Sequence, residues 1–488
     1  MNVSFMKNRK DLSLKETSAL EVKAAEKGLP GTIWETYSAF CNTQGGTIVL
    51  GMSEDPTTGE FIYAGVKNAD SLIRNFWNTI NNPQKVSYVA LSNDDVRVEN
   101  ENGKDIIIIE VPRVDRRNRP VFINNNLNSG TFRRNHEGDY HCTLPEIKEM
   151  IRDSESNTSD KSILENMSLD VIAPATLASY RDSLRAYKGG HPWLKLKDGE
   201  FMEVIGAASR GADRKFHPTG AGLLMFGKEY RITDEYPDYF LDYREKIGGE
   251  RWSYRLQSQS GEWSGNIFDF FTAVAGRLSA FVDSPFELEG FVRKGDSDAF
   301  VAAREMIMNA LIHSDYNVGR GVVIEVSRNI MTASNPGTFR IPLSDAVKGG
   351  VSDPRNSQIM KMFSLIGLAE RVGSGLYTIV ESERNGTITY VEIKESYDPS
   401  RVAVILDLSP EAIRYHNGKS GAIKAPASED SVSKVLRALR SNNSATVAML
   451  AAMTDLSEKT VSRALFELKA NDMIMRIGGK KSGHWEIL

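Results

Sequence analysis

The chain is 488 residues long, which is more than a single hydrophobic core can accommodate. Cores stop growing near ~250–300 residues, and longer chains divide into domains. Hydrophobic residues make up 41% of the sequence and charged residues 25%, as in ordinary globular proteins. We therefore expect several folded domains and no extensive disorder.

Any interaction with nucleic acid must come from local clusters of basic residues, because the chain as a whole is nearly neutral. Its 60 basic and 64 acidic residues leave a formal net charge of −4. Two cysteines, Cys41 and Cys142, are too few for a disulfide framework and fit a reducing compartment. No apolar run is long enough to span a bilayer. We expect a cytoplasmic protein with no membrane partner.

Hydrophobic periodicity predicts a multidomain chain of α/β (α+β) class. Residues 1–155 and 162–408 alternate strand and helix signals, which predicts a mixed α/β domain in each. The polar stretch 153–161 is interpreted as a linker, and so are residues 409–430, which contain Gly, Ser, Ala and Pro. Residues 431–488 form a compact, strongly patterned tail.

The segment REMIMNALIHSDY, residues 304–316, places polar side chains on one face of a predicted helix. Glu305, Asn309 and His313 recur every four residues, whereas most other positions are apolar. A buried helix must satisfy such groups, and a metal ion with phosphate and water would do so. A polar contact between domains would also do so, and the spacing leaves both interpretations open.

Two glycine-containing turns follow this helix. The sequence Ser334-Asn335-Pro336-Gly337 ends a predicted hairpin, and Gly373-Ser374-Gly375 opens a predicted helix. Glycines at a helix N-terminus let backbone amides approach phosphate, although an ordinary loop and cap is the plain alternative. No G-x-x-x-x-G-K-[ST] sequence is present, so a P-loop motor is not expected.

Taken in this order, the motifs resemble the GHKL ATPase superfamily, in particular its divergent RecG-associated branch, over residues 200–400. The resemblance implies a GHKL-type ATP-binding α/β sandwich, introduced by residues 217–227, with ATP and Mg²⁺ as cofactors. It implies that Glu305 activates the attacking water and that Asn309 binds the Mg²⁺ that bridges the phosphates. Asn335 would face the adenine amino group, at a position where the superfamily usually carries aspartate. The glycines that would shape the nucleotide loops are Gly337, Gly373 and Gly375.

Near the N-terminus, the sequence ETSALEVK, residues 16–23, predicts a strand in which Glu21 and Lys23 share one face. Carboxylates could hold Mg²⁺ there, and lysine could stabilise charge that develops during phosphodiester cleavage. A solvent-facing ion pair is the plain alternative.

Together with the block AFCNTQGGTIVLGMSED, this segment resembles the Schlafen AlbA-type domain. The resemblance implies binding of DNA or RNA and, in nucleolytic members, Mg²⁺-dependent cleavage through two glutamates, matched here by Glu16 and Glu21, with Lys23 beside them. The third acidic residue would be Glu54 or Asp55, one position later than in many relatives. Basic residues could contact phosphates or form a solvated face. They are Arg113, Arg116, Arg117, Arg119, Arg133 and Arg134.

The tail predicts three helices closed by a strand pair around a turn rich in Gly and Lys. This arrangement resembles the winged helix-turn-helix of bacterial regulators, in which residues 458–470 would form the recognition helix. Dimerisation through this fold is the alternative. The residues that would contact DNA are Lys459, Thr460, Ser462 and Arg463 in the major groove and Lys480 and Lys481 at the wing tip.

These resemblances lead to one main functional hypothesis and two alternatives. The main hypothesis is an ATP-binding, DNA-binding transcriptional regulator, expected to be a homodimer, in which nucleotide occupancy changes the nucleic-acid contacts. The first alternative is a Schlafen-like metal-dependent endonuclease that acts on RNA or DNA in phage defence. The second is a scaffold with a degenerate ATP site. Weak ATPase activity and Mg²⁺-dependent nuclease activity both stay open.

Overall fold

The chain divides into two compact units, Met1–Asn417 and Gly418–Leu488. The computed structural model describes residues 18–54, 61–101, 103–246, 252–278, 288–289, 292–293, 297–327, 329–369, 375–408, 434–436, 438–439, 442–454, 456–470, 474–477 and 484–487. Within these residues, none of the helices combines the length and the apolar character that a membrane span requires.

A four-stranded sheet organises the N-terminal part of the larger unit, with strand order β1-β2-β6-β5. The strands of this part are β1 Leu20–Lys23, β2 Gly46–Leu50, β3 Met52–Glu54, β4 Phe61–Tyr63, β5 Val96–Glu101, β6 Lys104–Val111, β7 Phe132–Asn135 and β8 Gly138–His141. The helices are α1 Ile33–Asn42, α2 Ala69–Ile80 and α3 Leu144–Ser154. β1 is parallel to β2, whereas β6 is antiparallel to both of its neighbours.

Both faces of this sheet are covered, which explains the unbroken isoleucine run in β6. Ile107 and Ile109 pack in the core beneath α1, whereas Ile106 and Ile108 pack with Leu20 of β1 on the opposite face. A strand buried on both sides has no polar face and therefore shows no alternation. Residues 121–124 form no extended strand, and isolated bridges connect Ile123 to Val86 and Phe122 to Thr131.

The rest of the larger unit is built around a six-stranded sheet with the order β12-β11-β15-β16-β18-β17. Its strands are β11 Leu241–Lys246, β12 Tyr254–Gln257, β15 Val322–Ser327, β16 Ile330–Pro336, β17 Tyr390–Tyr397 and β18 Ser400–Asp407. Shorter strands are β9 Ala208–Arg210, β10 Phe216–Pro218, β13 Leu288–Glu289 and β14 Val292–Arg293. The helices are α4 Pro174–Tyr187, α5 Asp198–Ile205, α6 Gly220–Phe226, α7 Glu229–Glu235, α8 Ile267–Leu278, α9 Asp298–His313, α10 Leu343–Lys348, α11 Ser357–Leu365 and α12 Gly375–Arg384. Short 3-10 turns lie at Asn93–Asp95, Arg116–Asn118, Ser159–Lys161, Leu169–Val171, Pro192–Lys195 and Ser258–Ser260.

Helix α9 contains the predicted stripe Glu305, Asn309 and His313, and it begins at a side-chain cap. The backbone N–H of Phe300 donates a hydrogen bond of 3.2 Å to the hydroxyl of Ser297, which satisfies one of the free N–H groups of the first turn. Ten side chains of α9 are buried in the central core. The predicted hairpin that follows is confirmed as the antiparallel pair β15 and β16.

The polar segment 153–161, predicted as a linker, is exposed at residues 155–157 but is anchored at both ends by buried side chains. Asp153 and Asp160 are both buried. Asp160 accepts hydrogen bonds from the backbone N–H groups of Gln358 (2.8 Å) and Ile359 (3.1 Å), at the start of α11. The polar side chains therefore satisfy interior partners, which composition alone cannot distinguish from solvent exposure.

The smaller unit contains the helical and strand elements predicted for the tail. Residues 434–436 and 438–439 are helical, and they are followed by α13 Val447–Thr454, α14 Glu458–Ala470 and the antiparallel strands β19 Ile474–Ile477 and β20 His484–Ile487. The predicted cap is present, because the N–H of Thr460 donates to the hydroxyl of Ser457 at 3.2 Å. A core of its own includes Leu439, Leu450 and Leu468. The assignment to the winged-helix family stays a prediction.

Candidate functional site

An open cleft lies beside α9 in the larger unit. Glu305, Asn309 and His313 of α9 line it, together with Asn335 from β16 and Gly375 at the start of α12. Residues up to 70 positions apart along the chain thus line one cleft. Much of the remaining wall is apolar, from Met306, Ile312, Ile341, Leu376, Ile379, Val402 and Val404. An apolar cleft with a few convergent polar groups is typical of small-molecule sites.

The start of α12 faces the polar groups of α9 at close range. A Cβ atom at Gly375 would lie 2.7 Å from Nδ2 of Asn309 and 3.1 Å from Oε2 of Glu305, so this position has no room for a side chain unless they move. Free N–H groups and the helix dipole make such an N-terminus attractive to phosphate. Oxygen atoms from a carboxylate and an amide are ligands that Mg²⁺ accepts. The donor set therefore fits a Mg²⁺-bound phosphate chain.

Asn335 supplies a hydrogen-bonding group at the end of β16. Its side chain is buried, and Nδ2 donates to the carbonyl oxygen of Pro336 at 3.1 Å. This contact leaves Oδ1 as an acceptor, which is the function that an adenine amino group requires. Gly337 has a φ of +94°, and a Cβ there would lie 2.5 Å from Nη1 of Arg355. Gly337 therefore shapes the turn against Arg355 and does not line the cleft.

His313, the third member of the stripe, is uncharged at neutral pH. Burial, reinforced by the nearby guanidinium groups of Arg355 and Arg340, lowers the pKa of His313 to about 4. A neutral imidazole adds no positive charge to the cleft. Arg340, which also lines the cleft, is the cationic group on that side.

Two other parts of the predicted nucleotide site have a different outcome. Gly373 lies outside the described residues. The segment 217–227 belongs to the core, where His217 bonds to the carbonyl oxygen of Met167 (2.7 Å) and to Asp213 (2.9 Å), and all of α6 is buried. No residue of this segment lines the cleft.

The predicted nuclease residue Glu21 lies on β1 and is paired with two cations. Nζ of Lys23 is 2.7 Å from Oε1 of Glu21, and Nη1 of Arg134 is 2.8 Å from Oε2. The side chains of Glu21 and Lys23 are each 11% exposed, so the pair is largely buried and not solvent-facing as the alternative expected. Both carboxylate oxygens are therefore already engaged by positive charge.

A complete metal centre is not found in the N-terminal part as far as the structure describes it. No group of three or more His, Cys, Asp or Glu side chains that could hold a metal ion occurs among the described residues. Glu16, Asp55 and the side chain of Glu54 lie outside them. The roles proposed for these residues stay predictions. Cys41 and Cys142 are buried free thiols.

Most of the arginines that the sequence offers for phosphate contacts are internal. Arg113 pairs with Glu395 at 2.9 Å, and these side chains are 6% and 2% exposed. Arg116 pairs with Asp353. Arg133 lies 2.6 Å from Glu146, and Arg119 is buried. Of the six arginines, Arg117 is the one on the surface. The solvated face is therefore wrong for the other five, and phosphate contact stays a prediction.

These arginines connect the N-terminal part to the rim of the cleft. Asp153, at the end of α3, accepts a hydrogen bond of 3.0 Å from Nε of Arg355 and lies 4.0 Å from Nε of Arg340. Asp353 pairs with Arg116 and lies 3.8 Å from Nη1 of Arg340. Both Arg340 and Asp353 line the cleft. Local sequence patterns do not reveal this network, because Asp153 is 202 positions from Arg355 and Arg116 is 237 positions from Asp353.

In the smaller unit, α14 exposes the residues predicted to read DNA. Lys459, Ser462 and Arg463 are exposed, and Thr460 is half-buried with its hydroxyl 2.9 Å from that of Ser457. These positions form a solvent-accessible polar surface on the first turns of the helix. Lys480 and Lys481 lie outside the described residues.

Comparison with family models identifies three segments of the chain. Residues 9–143 match the model described as "Schlafen, AlbA_2", and residues 319–406 match "Putative ATP-dependent DNA helicase recG C-terminal". Residues 148–242 match a "Domain of unknown function". The AlbA-type resemblance is thereby confirmed over residues 9–143, and the RecG-associated resemblance is confirmed over residues 319–406 of the 200–400 expected. Together they indicate a nucleic-acid-associated, ATP-binding protein.

Two solved structures are similar to the chain. A crystal structure of a Corynebacterium diphtheriae protein is 15% identical, with 96% of this chain and 95% of that chain covered and a TM-score of 0.40. The solution NMR structure of the N-terminal domain of a "Putative ATP-dependent DNA Helicase RecG-related Protein" from Nitrosomonas europaea is 25% identical. It covers 28% of this chain and 88% of that chain, with a TM-score of 0.21. Comparison with curated proteins found no match.

Proposed function

We propose that this chain, which combines a Schlafen AlbA_2 domain with a RecG-related ATPase-like domain, is an ATP-binding, DNA-binding regulator. The observation that carries the proposal is the convergence of Glu305, Asn309, Asn335 and Gly375 on one largely apolar cleft. An ordinary polar contact between domains would not require Oδ1 of Asn335 and the N-terminus of α12 to lie in the same cleft as Glu305 and Asn309.

Each group in the cleft has a role that follows from its chemistry. Asn309 would hold Mg²⁺ through its amide oxygen, and the N–H groups at the start of α12, at Gly375, would face the phosphates. Glu305 would orient and activate water, and Oδ1 of Asn335 would accept from the adenine amino group. Bound Mg²⁺ and ATP would supply the phosphoanhydride bond and the positive charge that stabilises its cleavage.

The buried ion network supports a coupling between nucleotide and the N-terminal domain. Arg340 and Asp353 line the cleft, and Asp353 also pairs with Arg116 of the N-terminal domain. A nucleotide that shifts the rim of the cleft would therefore change contacts made by that domain. Regulation of nucleic-acid binding by nucleotide occupancy follows from this connection.

The endonuclease alternative has less support than binding without cleavage. A metal-binding carboxylate must offer an oxygen to the ion, whereas Lys23 and Arg134 occupy both oxygens of Glu21. The domain match includes Glu16 and Glu21, so loss of a Mg²⁺-dependent cleavage on Glu21→Ala would favour the enzyme. Retention of nucleic acid without cleavage favours the regulator.

Glu305→Ala is expected to lower ATP turnover by about 100-fold or more, the usual range for a general base. Magnesium-dependent ATP binding should stay within a few-fold of the wild-type value, since Asn309 remains in place. Phosphate release and calorimetric binding are measured on the same preparations. Glu262→Ala removes an exposed glutamate outside the cleft and serves as the matched control. Equal phosphate release from Glu305→Ala and the wild type would exclude the proposed role.

DNA binding is expected to depend on the C-terminal tail. Arg463→Ala should reduce sequence discrimination by ~1–3 kcal/mol if Arg463 makes a bidentate base contact. Neutralising Lys480 and Lys481 should weaken binding to all sequences and flatten the salt dependence by about two phosphate contacts. Lys469→Ala, an exposed change at the far end of α14, is the control.

Binding is measured by fluorescence anisotropy on duplex DNA at several salt concentrations. A chain shortened to end near residue 425 should lose affinity and sequence preference. If that chain bound duplex DNA with an unchanged salt slope, the tail would not read DNA, and dimerisation would be its role.

A further inference from the structure

A second cavity lies inside the larger unit, between the N-terminal domain and the edge of the six-stranded sheet. Arg119, Arg133 and Glu149 line it from the N-terminal domain, and Thr338, Tyr397 and Ser400 line it from the other side. The space available to water-sized groups is about 30 Å³. One water molecule needs about 10–15 Å³ of such space, so the cavity can hold a few water molecules or one small oxyanion.

Arg119 is a buried cation that lacks an internal partner. The residue is 6% exposed, and its Nε is buried with no hydrogen-bond acceptor. No ion pair reaches its guanidinium from any described residue. Burial, followed by the nearby charge of Arg113, lowers the pKa of Arg119 to about 10, so the group is still charged at neutral pH. A buried charge without a partner is strongly unfavourable.

The carboxylates near the cavity form no ion pair with Arg119, although the charges of Asp153 and Glu395 offset part of the cost of its burial. Glu146 is taken by Arg133, and Asp153 is taken by Arg355. Oε1 of Glu149 also lacks a hydrogen-bond partner, and burial raises the pKa of Glu149 to about 7. At neutral pH Glu149 is therefore protonated for much of the time, and it can then donate a hydrogen bond.

Further donors face the same space. Nη1 of Arg133 has no hydrogen-bond partner among the described residues. The hydroxyl of Ser400 also lines the cavity, where it interacts with the carboxyl group of Glu149. A cavity with an unpaired guanidinium, a second partly unpaired guanidinium and a protonatable acid requires a ligand that accepts several hydrogen bonds and carries negative charge.

We propose that this cavity binds inorganic phosphate, held by the guanidinium of Arg119 between the N-terminal domain and the six-stranded sheet. The ligand would contact both walls and would therefore stabilise their association. The site does not depend on the ATP-binding proposal, because Arg119 does not line the nucleotide cleft. Thr338 lines both cavities, so the two sites are neighbours.

The test is a titration of the full chain with inorganic phosphate at constant ionic strength, followed by calorimetry and by Tm. The wild type should bind phosphate saturably, and its Tm should rise, whereas chloride at the same ionic strength should have no such effect. Arg119→Gln should raise the Kd about tenfold or more, as expected for loss of a charge-assisted hydrogen bond. Arg117→Gln changes the exposed neighbour and should bind as the wild type does.

Two further variants keep the result interpretable. Arg119→Lys keeps the charge but loses the planar fork, so it should fold and bind phosphate more weakly. Asn309→Ala removes the proposed nucleotide ligand and should leave phosphate binding unchanged, which separates this site from the cleft. The proposal is overturned if the wild type binds no phosphate, if both Arg119 variants bind it as tightly as the wild type, or if Asn309→Ala abolishes binding.

Discussion

Asn309→Ala is expected to weaken magnesium-dependent ATP binding by ~100-fold, at the upper end of the effects seen when a metal site loses an oriented group. Asn309 lies at the polar end of the cleft, beside Glu305 and the start of α12. Without its amide, the Mg²⁺ bridging the phosphates would lose a protein ligand, whereas the apolar wall that receives the base would be unchanged. Calorimetry with ATP, in the presence and absence of Mg²⁺, measures the effect.

A second variant, Gly375→Ala, is expected to displace the side chain of Asn309 without removing it. Gly375→Ala would place a methyl 2.7 Å from Nδ2 of Asn309. Because that atom is the end of a flexible side chain, the variant should fold normally while Asn309 moves away from the phosphates. Asn317→Ala, an exposed asparagine outside the cleft, is the control and should bind ATP normally. Unchanged affinity in Asn309→Ala, or tight ATP binding without Mg²⁺, would contradict the assignment.

Asp153→Ala is expected to destabilise the larger unit by ~3–5 kcal/mol, the range for removal of one partner of a buried ion pair. The side chain accepts from Arg355 and lies near Arg340, and all three residues are buried. Its loss would leave the buried guanidinium of Arg355 without its ion-pair partner, and Arg340 would keep only Asp353 nearby. Urea unfolding at neutral pH gives the free energy of unfolding for the wild type and the variant.

The contribution of Asp153 should also depend on pH. Burial alone would raise the pKa of Asp153, but Arg355 and Arg340 outweigh it and hold the pKa below its usual value. A depressed pKa in the folded state means that the stabilisation is present above the unfolded value of about 3.9 and is lost as the pH falls through the folded value. The difference between wild type and variant should therefore shrink below about pH 4.

Asp182→Ala provides the matched comparison for a surface pair. Asp182 and Arg185 are 70% and 57% exposed, and such pairs contribute at most about 1 kcal/mol. If Asp153→Ala cost no more than Asp182→Ala, the network at the end of α3 would not hold the two parts of the unit together.

Local patterns were sufficient to predict the helices that carry the candidate sites. The bounds of α9 and α14 follow from periodicity and from the caps Ser297 and Ser457, which act within one turn. The cleft was anticipated for a similar reason, because residues four apart on a helix must share a face. Family resemblance then placed Asn335 near that face, and the structure agrees.

Interactions between distant residues could not be predicted in this way. Arg113 and Glu395 are separated by 282 positions, and nothing local distinguishes a buried arginine from one on the surface. The segment 153–161 has the composition of a linker because its polar side chains find buried partners that are about 200 positions away. Such pairings are determined by the tertiary fold, which a single sequence does not display.

The buried pair of Arg113 and Glu395 has a consequence for how this protein can be recombined. Glu395 lies on β17 and is 2% exposed, so a chimera with a foreign N-terminal domain would enclose a carboxylate with no cation unless that domain also carried an arginine at the matching place. Asp353 would lose its ion pair with Arg116 and keep only Arg340 nearby. The two domains are therefore not interchangeable modules, and a successful graft would have to transfer Arg113, Arg116 and Asp153 as a set.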